Sequence, residues 1–174
     1  MEKLEQTSNQ ENNNKYESLK EELSEGSISF EDVRDRLLKL DQSTPSRDAS
    51  EENLNFLRDP QVVALIQKKT EFLEEYQGFV SFTEFHVAQR LMMNDSQDGI
   101  EHFKKALESA QMDTRFGESW AAYVEGTLLY LEGKEIPEEI IVKVVESRNA
   151  EILSNFNRGL KKRGTPLYEE DYGK

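Results

Sequence analysis

Any chemistry in this chain must come from carboxylates, two histidines and a block of aromatic side chains, because the sequence contains no cysteine. That removes disulfides, thiolate nucleophiles and cysteine metal ligands together. His86 and His102 are the two nitrogen donors, with Glu84 and Asp98 close to them in sequence. Neither histidine has a glutamate three residues before it, and HExxH is absent, so neither the carboxylate-bundle nor the zincin arrangement is encoded. The stretch EELSEGSISFEDV, residues 21–33, carries a glycine and acids at offsets that suggest a calcium loop. Such a loop needs oxygen ligands at its first, third and fifth positions and a long bidentate acid at its last. The candidates are Glu21, Leu23, Glu25 and Asp32; leucine has no side-chain oxygen, and aspartate is short for the last role. A glycine turn followed by a capped helix is therefore the expectation. GxSxG, P-loop and dinucleotide fingerprints are also missing, so no metal, cofactor or catalytic residue is expected.

The aromatic block is GESWAAYVEGTLLYLE, residues 117–132. At helical spacing, Trp120, Tyr123, Thr127 and Tyr130 form one stripe, and Ala121, Val124, Leu128 and Leu131 form another about 100° round the axis. Ser119, Ala122 and Gly126 make a strip small enough for close helix approach. Only Glu118, Glu125 and Glu132 remain as a solvent edge. A helix this apolar needs neighbours on several sides, which predicts a helical assembly with 117–132 at its centre.

The elements around it follow from punctuation and period. Residues 1–14 are rich in Gln, Asn and Glu and predict a disordered tail. Tyr16, Leu19 and Leu23 share a face of a helix that stops at Gly26, and Phe30, Val33, Leu37 and Leu40 repeat the pattern behind Ser29, an N-cap. Residues 15–41 are thus a small helical hairpin, separated by the turn-rich linker 42–50 from a helical core at 51–163. Within that core a short helix is expected at 51–58. Asp59 and Pro60 then start a helix that runs to Gln77 and stops at Gly78. Further helices are expected at 79–93, from Asp95 and Ser96 to Met112, at 117–132, and from Pro137 to Arg163. A polar tail, 164–174, comes last. No segment alternates apolar and polar residues as a half-buried strand requires. The fold class is all-α: antiparallel helical hairpins packed as a bundle or short array, with no sheet.

From Phe79 to Arg163 the order of helices and turns runs as two hairpins about 38 residues apart. Ala88 and Leu91 precede a short turn, Gly99, Phe103 and Ala106 follow it in GIEHFKKALESA, and Gly126, Leu129 and YLEGK hold similar places in the second hairpin. On these residues the segment resembles tetratricopeptide-type repeats. It departs at Val142 and Val145, where that family places an aromatic and an alanine, and its spacing exceeds the usual 34 residues. The resemblance implies a protein-interaction scaffold whose groove is lined by Gln89 and Met92 in the first hairpin and Trp120, Tyr123, Thr127 and Tyr130 in the second. Packing of the same stripe into the core is the competing expectation.

Net charge is −13. Residues 1–60 hold 8 basic and 15 acidic side chains, and residues 61–174 hold 14 and 20. Such a field repels phosphate backbones and anionic lipid, so neither nucleic acid nor a membrane surface is an expected partner. The basic cluster Arg158, Lys161, Lys162 and Arg163 sits where cations offset the negative end of the last helix dipole. It could also dock an acidic segment, the chain's own Glu169–Asp171 among them. No apolar run reaches the length of a membrane span or a leader, and a soluble cytoplasmic protein is expected. The function expected is a non-enzymatic interaction module that binds another protein or peptide. The alternative is an acidic inhibitor or immunity-type protein covering a basic enzyme by charge complementarity.

Overall fold

The computed structural model describes residues 2–43, 48–69, 72–94, 96–112 and 117–172. Among them are ten helices and no strand: α1 (Glu2–Glu25), α2 (Phe30–Ser43), α3 (Asp48–Leu57), α4 (Pro60–Lys68), α5 (Leu73–Met92), α6 (Asp98–Gln111), α7 (Gly117–Leu131), α8 (Glu138–Ile141), α9 (Ser147–Arg163) and α10 (Tyr168–Tyr172). The fold is all-α. None of the described helices is long and apolar enough to cross a membrane. The middle of the expected linker, the Asp95 cap and the turn at 113–116 lie outside the described residues.

The chain forms two compact units, Met1–Tyr76 and Gln77–Lys174. In the first, Gly26 takes a left-handed φ of 71° and ends α1. Ser29 then opens α2 through a reciprocal cap: its hydroxyl accepts from the Asp32 N–H at 3.1 Å, and the Asp32 carboxylate accepts from the Ser29 N–H at 3.2 Å. That cap consumes the acid considered for a calcium loop, and Leu23 is fully buried. Asp59 caps α4 by accepting from the Gln61 N–H at 2.8 Å, with Pro60 in the first turn.

The hairpin of α1 and α2 does not stand apart from α3 and α4. The Tyr16 hydroxyl donates to Asn53 Oδ1 at 2.8 Å, and Asn53 Nδ2 donates to the Leu37 carbonyl at 2.9 Å. One buried amide thus ties α1, α2 and α3 together, and α1 also packs on α4. The division after residue 50 that the turn-rich linker suggested is therefore replaced by one after Tyr76, because Leu19, Leu23, Leu54, Leu57, Val62 and Ile66 are all buried within the first unit. Burial of such side chains is worth roughly 1.5–3 kcal/mol each, which a lone hairpin could not supply. Helix α1 begins at Glu2, where composition predicted a disordered tail, and its Tyr16, Leu19 and Leu23 are buried.

Two helix boundaries differ from the sequence expectation. The break expected at Gly78 falls at Lys69, which leaves helical geometry at φ −112° and ψ 76°, while Gly78 is buried inside α5. The glycine lies within the helix and makes no turn. The single helix expected from Pro137 to Arg163 is divided into α8 and α9 by residues 142–146. Its β-branched run Ile140, Ile141, Val142, Val144 and Val145 favours helix weakly. A clamp from 21 residues away decides the matter: Asn157 accepts from the Ile136 N–H and donates to the Ile136 carbonyl, both at 2.8 Å.

In the second unit α7 is the centre, as expected. It packs on α6, α8 and α9, and Ala122, Tyr123, Val124, Gly126, Thr127, Leu128 and Tyr130 are buried while Glu118, Glu125 and Glu132 face solvent. Gly126 allows the α7–α9 approach: a Cβ there would lie 2.9 Å from Leu153 Cδ1. Gly99 does the same at the start of α6, where a Cβ would lie 2.8 Å from the Ala88 carbonyl oxygen. Phe85, Phe103, Phe156 and Leu153 fill the space between.

Candidate functional site

The six residues expected to line a groove divide into two groups. Tyr123, Thr127 and Tyr130 are 2%, 0% and 0% exposed, so this stripe lies in the core and offers no open edge. Gln89, Met92 and Trp120 are half-buried. Thr127 spends its hydroxyl on the Tyr123 carbonyl one turn back, at 2.9 Å. The Trp120 indole N–H donates to Ser81 Oγ at 2.7 Å, and Ser81 donates in turn to the Ala106 carbonyl at 2.6 Å. That buried serine locks α7 to α5 and α6. The sequence signal for it was weak, since a serine among Phe79, Val80 and Phe82 reads equally well as a surface residue.

Three of the six meet one further element, the C-terminal segment. Gln89 Nε2 donates to the Tyr168 hydroxyl at 3.2 Å, Tyr172 lies beside the Tyr123 hydroxyl, and the Tyr130 hydroxyl donates to Asp171 Oδ2 at 2.7 Å. Tyr130 also accepts from the Leu167 N–H at 2.6 Å. Arg163 completes the site by pairing with the same Asp171 carboxylate, and its other terminal nitrogen stands 3.9 Å from Glu170. Between these polar contacts, Tyr168 packs on Phe103 and Phe156 with ring centroids 5.9 and 5.5 Å away. Tyr130 stacks on Phe156 at 4.1 Å. The arrangement is a slot between α5, α6, α7 and α9, occupied by residues 167–172.

Local sequence explains each part. Gly164 has φ 77° and ends α9 in the left-handed conformation, which turns the chain back. Gly159, inside α9, leaves the space that the Asp171 carboxylate fills; a Cβ at this position would overlap it. A glycine in a helix interior is unfavourable by about 1 kcal/mol relative to alanine, and that mismatch was the signal by which Gly159 could have been singled out. Asp171 is 1% exposed. A carboxylate so enclosed needs charged and hydroxyl donors, and Arg163 and Tyr130 provide them. Of the basic cluster, Arg163 therefore does dock the chain's own acids, while Lys161 pairs with Glu135 at 2.6 Å and Arg158 bonds Asn155. Burial pushes the phenols of Tyr123, Tyr130 and Tyr168 well above the ordinary tyrosine range, and for Tyr130 the adjoining Asp171 adds to it. These hydroxyls stay neutral and act as hydrogen-bond donors and acceptors.

The histidines are placed apart from this slot. His86 lies against Phe82, ring centroids 4.1 Å apart, and His102 Nδ1 is 2.6 Å from Oε2 of Glu84, whose side chain is wholly buried. Asp98 accepts from Ser96 instead. Among the described residues no group of three His, Asp or Glu is placed to hold a metal ion. The first unit has an open hollow of about 530 Å³ lined by Lys15, Ser18, Leu19, Arg36, Lys39 and Leu40 among others. Its Arg36 is engaged by Glu22 at 2.8 Å. No family model, curated protein or solved structure matches this chain.

Proposed function

We propose that the protein is a non-enzymatic protein-interaction module whose second unit receives a short peptide segment. One observation carries this reading: the slot between α5, α6, α7 and α9 already holds a segment of chain, residues 167–172, through side-chain contacts that any polypeptide of the same pattern could make. Aromatic anchors around a buried, charge-paired polar centre are the make-up of binding hot spots. Helical hairpins that hold a segment against their inner faces are also what the tetratricopeptide-like pattern implies. The alternative of an acidic inhibitor rests on net charge, and the slot's own cation, Arg163, argues for a ligand that is itself acidic.

Selection from a random peptide library tests the reading without knowledge of the partner. It is run on the full-length chain and on the full-length chain carrying Tyr168→Ala with Asp171→Ala. An enriched consensus on either protein, bound in the second unit by amide shift mapping, is the expected result. No enrichment on either would overturn the module reading.

A further inference from the structure

Residues 167–172 occupy the slot in the way a ligand does. They leave α9 at Gly164, cross Thr165 and Pro166, and return as one short helical turn, α10. Tyr168, Asp171 and Tyr172, at positions i, i+3 and i+4, share one face of that turn. Tyr168 and Asp171 are 5% and 1% exposed, whereas Glu169 and Glu170 between them face solvent. The slot has a shape complementary to the aspartate, since Gly159 leaves room for that carboxylate and a methyl group would close it. It also has an unused donor: Arg163 Nε is buried and has no hydrogen-bond partner among the described residues. The resident segment thus fits the slot but leaves one buried donor unsatisfied, at a cost that a better-matched segment would avoid.

We propose that the slot is the receptor for a partner segment of pattern aromatic-x-x-Asp-aromatic in a helical turn, and that residues 167–172 are a built-in competitor which that segment displaces. This rests on the interaction-module reading above and adds the ligand class and the regulation. Tethering through a few residues holds the tail at an effective concentration on the order of millimolar. The apparent affinity for an incoming segment is lowered by the fraction of time the slot is closed. A partner gains over the tail by bringing a second acceptor to Arg163. The occupant is taken to be another protein because the tail's own contacts are already complete within one copy apart from that donor.

The test uses a fluorescent peptide of residues 164–172, GTPLYEEDY, as probe. Its targets are the full-length wild-type chain and the full-length Tyr168→Ala, Asp171→Ala chain, in which the slot is intact and the competitor disabled. The probe should bind the disabled chain about tenfold or more tighter than wild type. The probe made with Asp171→Asn should lose most of that binding, as should the disabled chain further changed by Gly159→Ala. A folded, disabled chain that binds the probe no better than wild type overturns the proposal; library selection could still succeed elsewhere on the unit, so the two failures are distinguishable. Should the disabled chain fail to fold, hydrogen exchange on the wild-type chain decides. Amides of Leu167 and Asp171 opening faster than those of α7 support a displaceable tail, and exchange only with α7 overturns it. A wild-type chain that dimerises with rising concentration by trading tails would make the occupant a second copy, and would overturn the partner assignment.

Discussion

The two units are tied by different kinds of bond. In the first, the long-range charged ties are at or near the surface: Lys20–Asp59 at 3.0 Å, Arg34–Glu75 at 2.8 Å and Arg36–Glu22 at 2.8 Å. Buried polar ties among its described residues end on backbone or amide, as with Tyr76 donating to the Leu57 carbonyl at 2.6 Å. In the second, tyrosine hydroxyls join the core to an enclosed carboxylate, and rings follow one another from Trp120 through Phe85 and Phe103 to Tyr168. Salt reaches the first kind of tie, while a change of protonation or a truncation is what reaches the second. The unit with the buried polar centre is also the one with a candidate site, because a carboxylate that must be matched by Arg163 and Tyr130 selects what may sit beside them.

Alkali should produce the largest contrast. For Tyr123, Tyr130 and Tyr168 the folded state favours the neutral phenol, raising the folded value above the unfolded one. Their contribution to stability is therefore complete below the unfolded value, about pH 10, and is lost as pH rises beyond it. Trp120 is the only tryptophan and lies in the second unit, so its fluorescence reports on that unit. Its unfolding transition should coincide with tyrosinate absorbance above about pH 10. The chain has six tyrosines, so ionisation of more than three of them before the tryptophan signal changes would show that these hydroxyls are not part of the core.

Next in size is Tyr130→Ala, which deletes a ring stacked on Phe156 and the hydroxyl held by Asp171 and Leu167. A loss of roughly 3–5 kcal/mol in urea unfolding is expected, as for other buried aromatics. A small loss would return this stripe to an open groove. Gly126→Leu should cost about 1–3 kcal/mol by overpacking, since Leu153 Cδ1 and Cδ2 stand 2.9 and 3.0 Å from the new Cβ. An unchanged melting temperature there would mean that α7 and α9 are not pressed together.

What was legible in the sequence was local. Gly26, Ser29, Asp59 and Pro60 mark helix ends because each satisfies, or fails to satisfy, backbone groups within a few residues. The apolar stripes of α7 showed that it is central. The boundaries that came out elsewhere are not set locally: Gly78 reads as a stop and instead lies buried within α5, and the α8–α9 break goes with Asn157 reaching Ile136. The site divides in the same way. The basic cluster and the acids at 169–171 were readable as complementary charges, yet nothing in the spacing reveals that Asp171 goes under Tyr130 into the space left by Gly159. Tyr130 was identified by its type, with groove edge and core both open to it; its burial follows from three helices and a tail meeting at one point.

The smallest effect tests the first unit at Asp59, which has two roles there. Its Oδ1 accepts from the Gln61 N–H, capping α4, and its Oδ2 pairs with Lys20. Lys20 in turn holds the Asp59 carboxyl below the usual carboxylate range, with the Gln61 N–H assisting. Asp59→Ala removes both roles and should cost about 0.5–2 kcal/mol, most of it the cap. Asp59→Asn keeps an N-cap of similar quality and removes the ion pair alone, which for partners still 19% and 25% exposed is worth roughly 1 kcal/mol or less. The two variants should also respond differently to salt. At about 1 M ionic strength the screening length is near 3 Å, so the asparagine variant should become indistinguishable from wild type while the alanine variant keeps its deficit. Comparing variant with wild type at each salt concentration removes the separate effect of screening the acidic excess of residues 1–60, which both share. Amide exchange in α4 is the readout, since Trp120 does not report on this unit. Equal deficits for both variants at high salt would mean that the Asp59 carboxylate acts through something other than its charge on Lys20, and the contrast between a salt-reachable unit and a proton-reachable one would lose its clearest case.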